Sequence, residues 1–204
     1  MRIAKASYEI LYAPDKDIVE KLERIARVSH KSENMMTGDL IKKCIEMGHL
    51  SVLEHSYISV LFICDRATSH ELVRHRLMSF TQESQRYCNY SKDRFGNNVT
   101  FIQPWWMDEE DDIGYSIWRK SCNDAEKAYF DLLNVGYAPQ RARMVLPNCT
   151  KTEVIATANF REWRHVLDIR TKIDAHPDIR HLMKGLLKDL NERFPDIFGD
   201  IAKE

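Results

Sequence analysis

Polar and apolar side chains alternate through "IAKASYEILY" (residues 3–12), the period of a strand with one buried face. In "DKDIVEKLERIARVSH" the apolar positions Ile18, Leu22, Ile25 and Ala26 recur at helical spacing, with Asp15 or Asp17 near the start. "TGDLIKKCIEMGH" predicts a second helix that stops at Gly48. "SYISVLFICD" is β-branched and aromatic and predicts the strongest strand of the chain. "TSHELVRHR" follows as a helix, with Thr68 three residues ahead of Glu71 in a capping-box pattern. "VTFIQP" predicts a strand, residues 109–135 a long amphipathic helix, and "PQRARMVL" a short helix with proline at its start. "KTEVIATAN" then reads as a strand, "FREWRHVLDIRT" as a helix and "HPDIRHLMKGLLKDLNERF" as the closing helix.

Strands and helices do not alternate regularly, so a doubly wound sheet is not expected. The order predicts an α+β fold with helices packed on a mainly antiparallel central sheet. No repeat, low-complexity run or Gly/Ser linker divides the chain, which predicts a single domain over 1–204. Hydrophobic residues at 44% and charged ones at 30% match a globular protein able to bury a core. A net charge of −1 argues against a nucleic-acid coat or a membrane-surface protein. No apolar run reaches spanning length, and the N-terminus does not read as a signal peptide. The five cysteines are odd in number and form no CxxC pair, which predicts reduced thiols and a cytoplasmic location.

Charge concentrates in one place. Arg74, His75 and Arg76 are expected in the last turn of their helix, where cations complement its dipole. Side chains on successive residues point ~100° apart, so the three cannot all face water if one side is packed. Residues 79–87 then bring Ser79, Thr81, Gln82, Ser84, Gln85 and Arg86 with neither glycine nor proline. Arginine forks grip phosphate, and amides read the N–H and C=O groups of a pyrimidine, so the stretch points to an anion site.

Other chemistries are weaker. "HELVRH" has one residue too many for a zinc-protease motif, and His70 and His75 lie about 140° apart on a helix, so they cannot share a metal. Glu162 and His165 form a lone Glu-x-x-His half-motif. No metal is expected. No cysteine carries a histidine-bearing nucleophile motif. GxGxxG and GxxxxGK[ST] are both absent, so any nucleotide cofactor must be held by arginines and loops. The second half adds Arg141, Arg143, Asn159, Arg161, Arg164, His165 and Arg170. Arg161 and His165 share a helix face, whereas Arg164 reads as exposed and partly paired with Glu162 and Asp168. Trp163, Val166, Leu167 and Ile169 are expected in the core.

"RHRLMSFTQESQRY" resembles the signature of the flavin-dependent thymidylate synthases, an arginine-histidine-arginine triplet followed by a spaced Ser-x-Arg-Tyr. "GHLSVLEH", "ARMVLP", "ANFREWRHVLDIRT" and "AHPDIR" extend the likeness over nearly the whole chain, in the family's order. The resemblance implies a methyltransferase that converts dUMP to dTMP. Methylenetetrahydrofolate would supply the carbon, NADPH would reduce FAD, and no Rossmann motif would be needed. It implies a homotetramer with active sites between subunits. FAD contacts are implied for His49, Ser51, Arg74, His75, Arg76, Gln82, Asn159, Phe160, Arg161 and His165. Positions Glu71, Leu72, Val73, Arg74, Gln82, Glu83, Ser84, Gln85, Arg86, Arg143 and Arg170 correspond to dUMP contacts, Ser84 and Arg86 near its phosphate. Arg170 matches the catalytic arginine that favours loss of the uracil N3 proton. An always-protonated side chain can stabilise the enolate-like charge on the ring. The flavin makes a cysteine nucleophile unnecessary, and Ser84, with no adjacent base, suits binding better than attack.

Gln82 stands where many relatives carry Glu, Glu71 where some carry Gln, and Thr81 where Asn or Ser is usual. An amide both donates and accepts whereas a carboxylate only accepts. A related flavin- and folate-dependent enzyme that hydroxymethylates, or acts on dCMP, is therefore an alternative. A silent nucleotide- or RNA-binding protein is a third reading, disfavoured because it has no need of Arg170.

Overall fold

A computed structural model describes residues 1–107 and 113–203. The fold is α+β. Strands β1 (Arg2–Lys5) and β2 (Ser7–Tyr12) replace the single strand expected over 3–12. One strand of ten residues would run about 33 Å, but the partner of β1 is only four residues long, β5 (Thr100–Gln103). That pair is parallel, from Arg2 opposite Thr100 to Lys5 opposite Gln103. Beyond Ala6 the chain changes partner, and β2 opens a four-stranded antiparallel sheet of order β2-β3-β6-β4. Here β3 is Tyr57–Asp65, β4 Ser79–Gln82 and β6 Lys151–Asn159.

Helices follow as α1 (Ile18–Arg27), α2 (Leu40–Glu46), α3 (Arg66–Leu72), α4 (Ile113–Asn134), α5 (Pro139–Ala142), α6 (Phe160–Arg170), α7 (Pro177–Arg193) and α8 (Pro195–Phe198). Gly48 lies at φ +75°, the left-handed turn that ends the α2 region. The long helix expected over 109–135 is described from Ile113, its first residues lying outside the described ones.

By their contacts the described residues fall into two compact units, Met1–Ser7 with Phe62–Arg74 and Thr81–Val154, and Tyr8–Leu61 with His75–Phe80 and Ile155–Glu204. In the first, Tyr90, Val99, Phe101, Cys122, Tyr129 and Ala142 form a core around α4. In the second, Trp163 is fully buried and its Nε1–H donates to the Ile58 carbonyl at 3.0 Å. The Phe160 ring packs there at 5.3 Å from Phe194 and 5.8 Å from Phe198. Val166 and Leu167 are buried as expected, Ile169 only partly.

Both long strands run directly into a helix through an Asx cap. Asp65 ends β3 in extended backbone and caps α3, its Oδ1 accepting from Thr68 N and its Oδ2 from the Thr68 hydroxyl, each at 2.7 Å. Asn159 ends β6 and caps α6, accepting from Glu162 N at 2.9 Å. The capping box expected at Thr68 is therefore displaced. Asp65 already has the extended φ and ψ that a cap needs, because the strand supplies them. The helix consequently starts at Arg66; it ends at Leu72, and Arg74, His75 and Arg76 stand in the turn beyond it, not in its last turn.

Candidate active site

Shortening α3 separates the triplet. Arg74 and Arg76 are exposed while His75 is 6% exposed, buried in the second unit. There the Nε–H of Arg170, the last residue of α6, donates to His75 Nε2 at 2.9 Å. Accepting at Nε2 makes the ring neutral, with its proton on Nδ1. The His165 ring meets His75 edge-on at 6.2 Å.

A cavity of ≈ 750 Å³ opens in the same unit beside α6, within the size range of small-molecule sites. Leu50 and Leu77 give it apolar wall; Asn159, Arg161 and His165 give it polar groups. Most of its acids already have partners. Glu54 accepts from Arg161 at 2.6 Å, and Asp168 pairs with Lys172 at 2.9 Å. Asp200 takes a two-pronged contact from Arg164 at 2.7 and 2.6 Å, which holds its carboxyl below the usual range. Burial pushes the Glu162 carboxyl up, against the pull of His165 and Arg161. Arg164 thus corrects the expectation of an exposed cation paired with Glu162 and Asp168: its side chain is 11% exposed and also bonds the Ile197 carbonyl. The acid it meets is 36 residues away in the chain, out of reach of any helical spacing rule.

"GHLSVLEH" forms a 3₁₀ turn over Leu50–His55 that buries Val52 and Leu53 and leaves His49, Ser51 and Glu54 exposed. Phe160 and Leu72 are buried in the core, backbone and side chain alike.

The first unit holds the remaining matched positions. Residues 79–82 form the edge strand β4. Gln82 sits at its end with its amide donating to Ser69 Oγ at 2.9 Å and Thr152 Oγ1 at 3.2 Å. Both its N–H bonds point inward, and the group left to a ligand is the carbonyl oxygen. Glu83 accepts from the Tyr90 hydroxyl at 3.0 Å and pairs with Lys151 at 3.0 Å. Ser84 begins a tight turn, its carbonyl accepting from Tyr87 N at 3.1 Å and Cys88 N at 2.9 Å. Gln85 is buried, Arg143 partly so, and Arg86 is exposed with Nε on Gln140 at 3.2 Å. Glu71 and Val73 are partly buried next to the exposed Arg74.

Ser69, Thr152, Lys151, Tyr90, Glu54 and Asp200 hold these side chains, and of them only Glu54, within "GHLSVLEH", lies in a motif. Ser69 and Thr152 stand 13 and 70 residues from Gln82. None of the five cysteines is in a disulfide, and burial pushes the Cys64 thiol up to about 12, which suits no nucleophile. Among the described residues no group of three His, Cys, Asp or Glu could hold a metal ion, and no helix is long and apolar enough to cross a membrane.

In the second unit the cavity beside α6 meets Asn159, Arg161 and His165, and His75 holds Arg170; in the first, Gln82 ends β4 and Ser84 and Arg86 stand in the turn after it. The family described as thymidylate synthase complementing protein matches residues 2–196, and the chain belongs to it. A protein of Mycobacteroides abscessus named flavin-dependent thymidylate synthase is 34% identical over 179 residues, covering 78% of this chain and 68% of its own. One of Corynebacterium efficiens with the same name is 32% identical, covering 80% and 69%. The crystal structure of the UMP/dUMP methylase PolB from Streptomyces cacaoi, bound with 5-Br dUMP, shares the fold at a TM-score of 0.79 and 24% identity, covering 98% of this chain and 96% of that one.

Proposed function

We propose that this chain is an FAD-dependent thymidylate synthase that methylates dUMP to dTMP with methylenetetrahydrofolate as carbon donor and NADPH as reductant. The observation that carries the reading is the held arginine: Arg170 is oriented by His75 in a chain whose family match runs from residue 2 to 196. A permanently protonated guanidinium beside the uracil favours loss of the N3 proton and stabilises the charge that follows. Ser84 and Arg86 bind the nucleotide phosphate. Gln82 offers the base an acceptor, as a carboxylate would, because Ser69 and Thr152 occupy its N–H groups.

The cavity beside α6 fits part of a flavin nucleotide. Its acids are paired or pushed towards neutrality, while Asn159, Arg161 and His165 face it. Those residues, with His49, Ser51 and the exposed Arg74 and Arg76, would hold FAD, which when bound supplies the hydride. The chain acts as a single domain over 1–204, in a homotetramer whose subunits complete each other's sites.

The test is product identification by mass with FAD-loaded protein, NADPH and methylenetetrahydrofolate, offering dUMP, UMP and dCMP separately. dTMP from dUMP is the expected outcome. A hydroxymethyl product or preference for dCMP moves the activity to the alternative, and no product with any substrate sinks the enzyme reading.

A further inference from the structure

We infer that His75 is a positioning residue for Arg170: its neutral Nε2 holds the Nε–H of the guanidinium and so orients the charge that acts on the pyrimidine. The inference rests on the thymidylate synthase reading and adds a role to a residue otherwise grouped with the flavin contacts. Three observations carry it. His75 is buried whereas the arginines on either side of it in the chain are exposed, so the triplet is not one continuous contact surface. The 2.9 Å contact from Arg170 joins residues 95 apart in sequence, linking the turn after α3 to the end of α6. The His165 ring lies edge-on to His75 at 6.2 Å, so the imidazole is flanked on a second side.

The chemistry favours an imidazole in this place. An arginine side chain carries about 2 kcal/mol of rotamer entropy, and one fixed Nε–H sets the plane of the whole fork. A carboxylate would hold the same N–H more strongly, but it would also cancel much of the positive charge that the uracil needs. Neutral imidazole orients the guanidinium and leaves its charge intact. His75 need not touch the substrate.

The variants His75→Leu and His75→Gln separate this role from flavin binding, since the glutamine carbonyl can accept where Nε2 does. Wild-type conversion of dUMP to dTMP is the control, and its failure would overturn the underlying reading itself. His75→Leu is expected to lower kcat on the order of 10–100-fold, the usual cost of a misplaced catalytic group. Flavin content and KM for dUMP should change little, and His75→Gln should recover most of the loss. In an Arg170→Lys background, where no guanidinium remains to be oriented, His75→Leu should have no further effect. A readout without turnover is the nitrogen NMR spectrum of His75 in the resting protein, expected to show bare Nε2 and protonated Nδ1. Protonated Nε2, equal damage from Leu and Gln with loss of flavin, or an undiminished His75→Leu effect in the Arg170→Lys background would each overturn the inference.

Discussion

Glu83→Gln leaves the Lys151 ammonium facing an amide where a carboxylate oxygen now sits at 3.0 Å. It also weakens the bond that Glu83 accepts from the Tyr90 hydroxyl at 3.0 Å. Breaking one side of a fully buried ion pair costs about 3–5 kcal/mol. Here Glu83 and Lys151 keep 12% and 21% of their side-chain exposure, and Glu153 remains beside Lys151. Residual hydration and the second acid bring the expected loss to about 2 kcal/mol. For a domain of this size that is a fall of about 4–8 °C in Tm. Lys151→Met should cost a similar amount, and the double variant less than the sum by about 1–2 kcal/mol. Thermal melts of the assembled protein at one fixed concentration measure all three, since assembly makes Tm concentration-dependent. Losses that add to within about 0.5 kcal/mol would refute the coupling. Affinity for dUMP then separates two roles for Glu83. A scaffold that places Ser84 and Arg86 weakens equally in Glu83→Gln and Lys151→Met, whereas a direct ligand weakens in Glu83→Gln alone.

Asp65→Ala should cost about 1–2 kcal/mol, the usual value of a lost cap, with Asp65→Asn recovering most of it in the same melts. Trp163→Ala should cost about 3–5 kcal/mol, because a fully buried ring and its bond to Ile58 are lost together. Asp200 has its folded pKa depressed by Arg164, so the pair stabilises above the ordinary carboxylate pKa and the contribution is lost as pH falls through the depressed value. Arg164→Ala should therefore flatten the acid limb of a stability–pH profile, and an unchanged limb would show that the contact is not formed in solution.

The sequence by itself determined the two long strands, the closing helices and the membership of the chain in its family. Each rests on information carried in a short window: β-branched runs at Tyr57–Asp65 and Lys151–Asn159, apolar spacing in α6 and α7, and motifs in a set order. Local rules failed where two of them competed or where a partner was distant. Asp65 and Thr68 can each cap a helix, and the choice went to the residue whose backbone the preceding strand already held extended. That choice set the start of α3; its end at Leu72 leaves the triplet in a turn, where His75 is buried and its two neighbours are exposed. The break between β1 and β2 depends on which strand lies alongside, and nothing within residues 3–12 specifies that. The supports of Gln82, Glu83, Arg164 and Arg170 come from 33 to 95 residues away, apart from Ser69 and Tyr90 close by. A charged or amide side chain announces its chemistry in the sequence, but its direction follows from the groups that the tertiary structure packs against it.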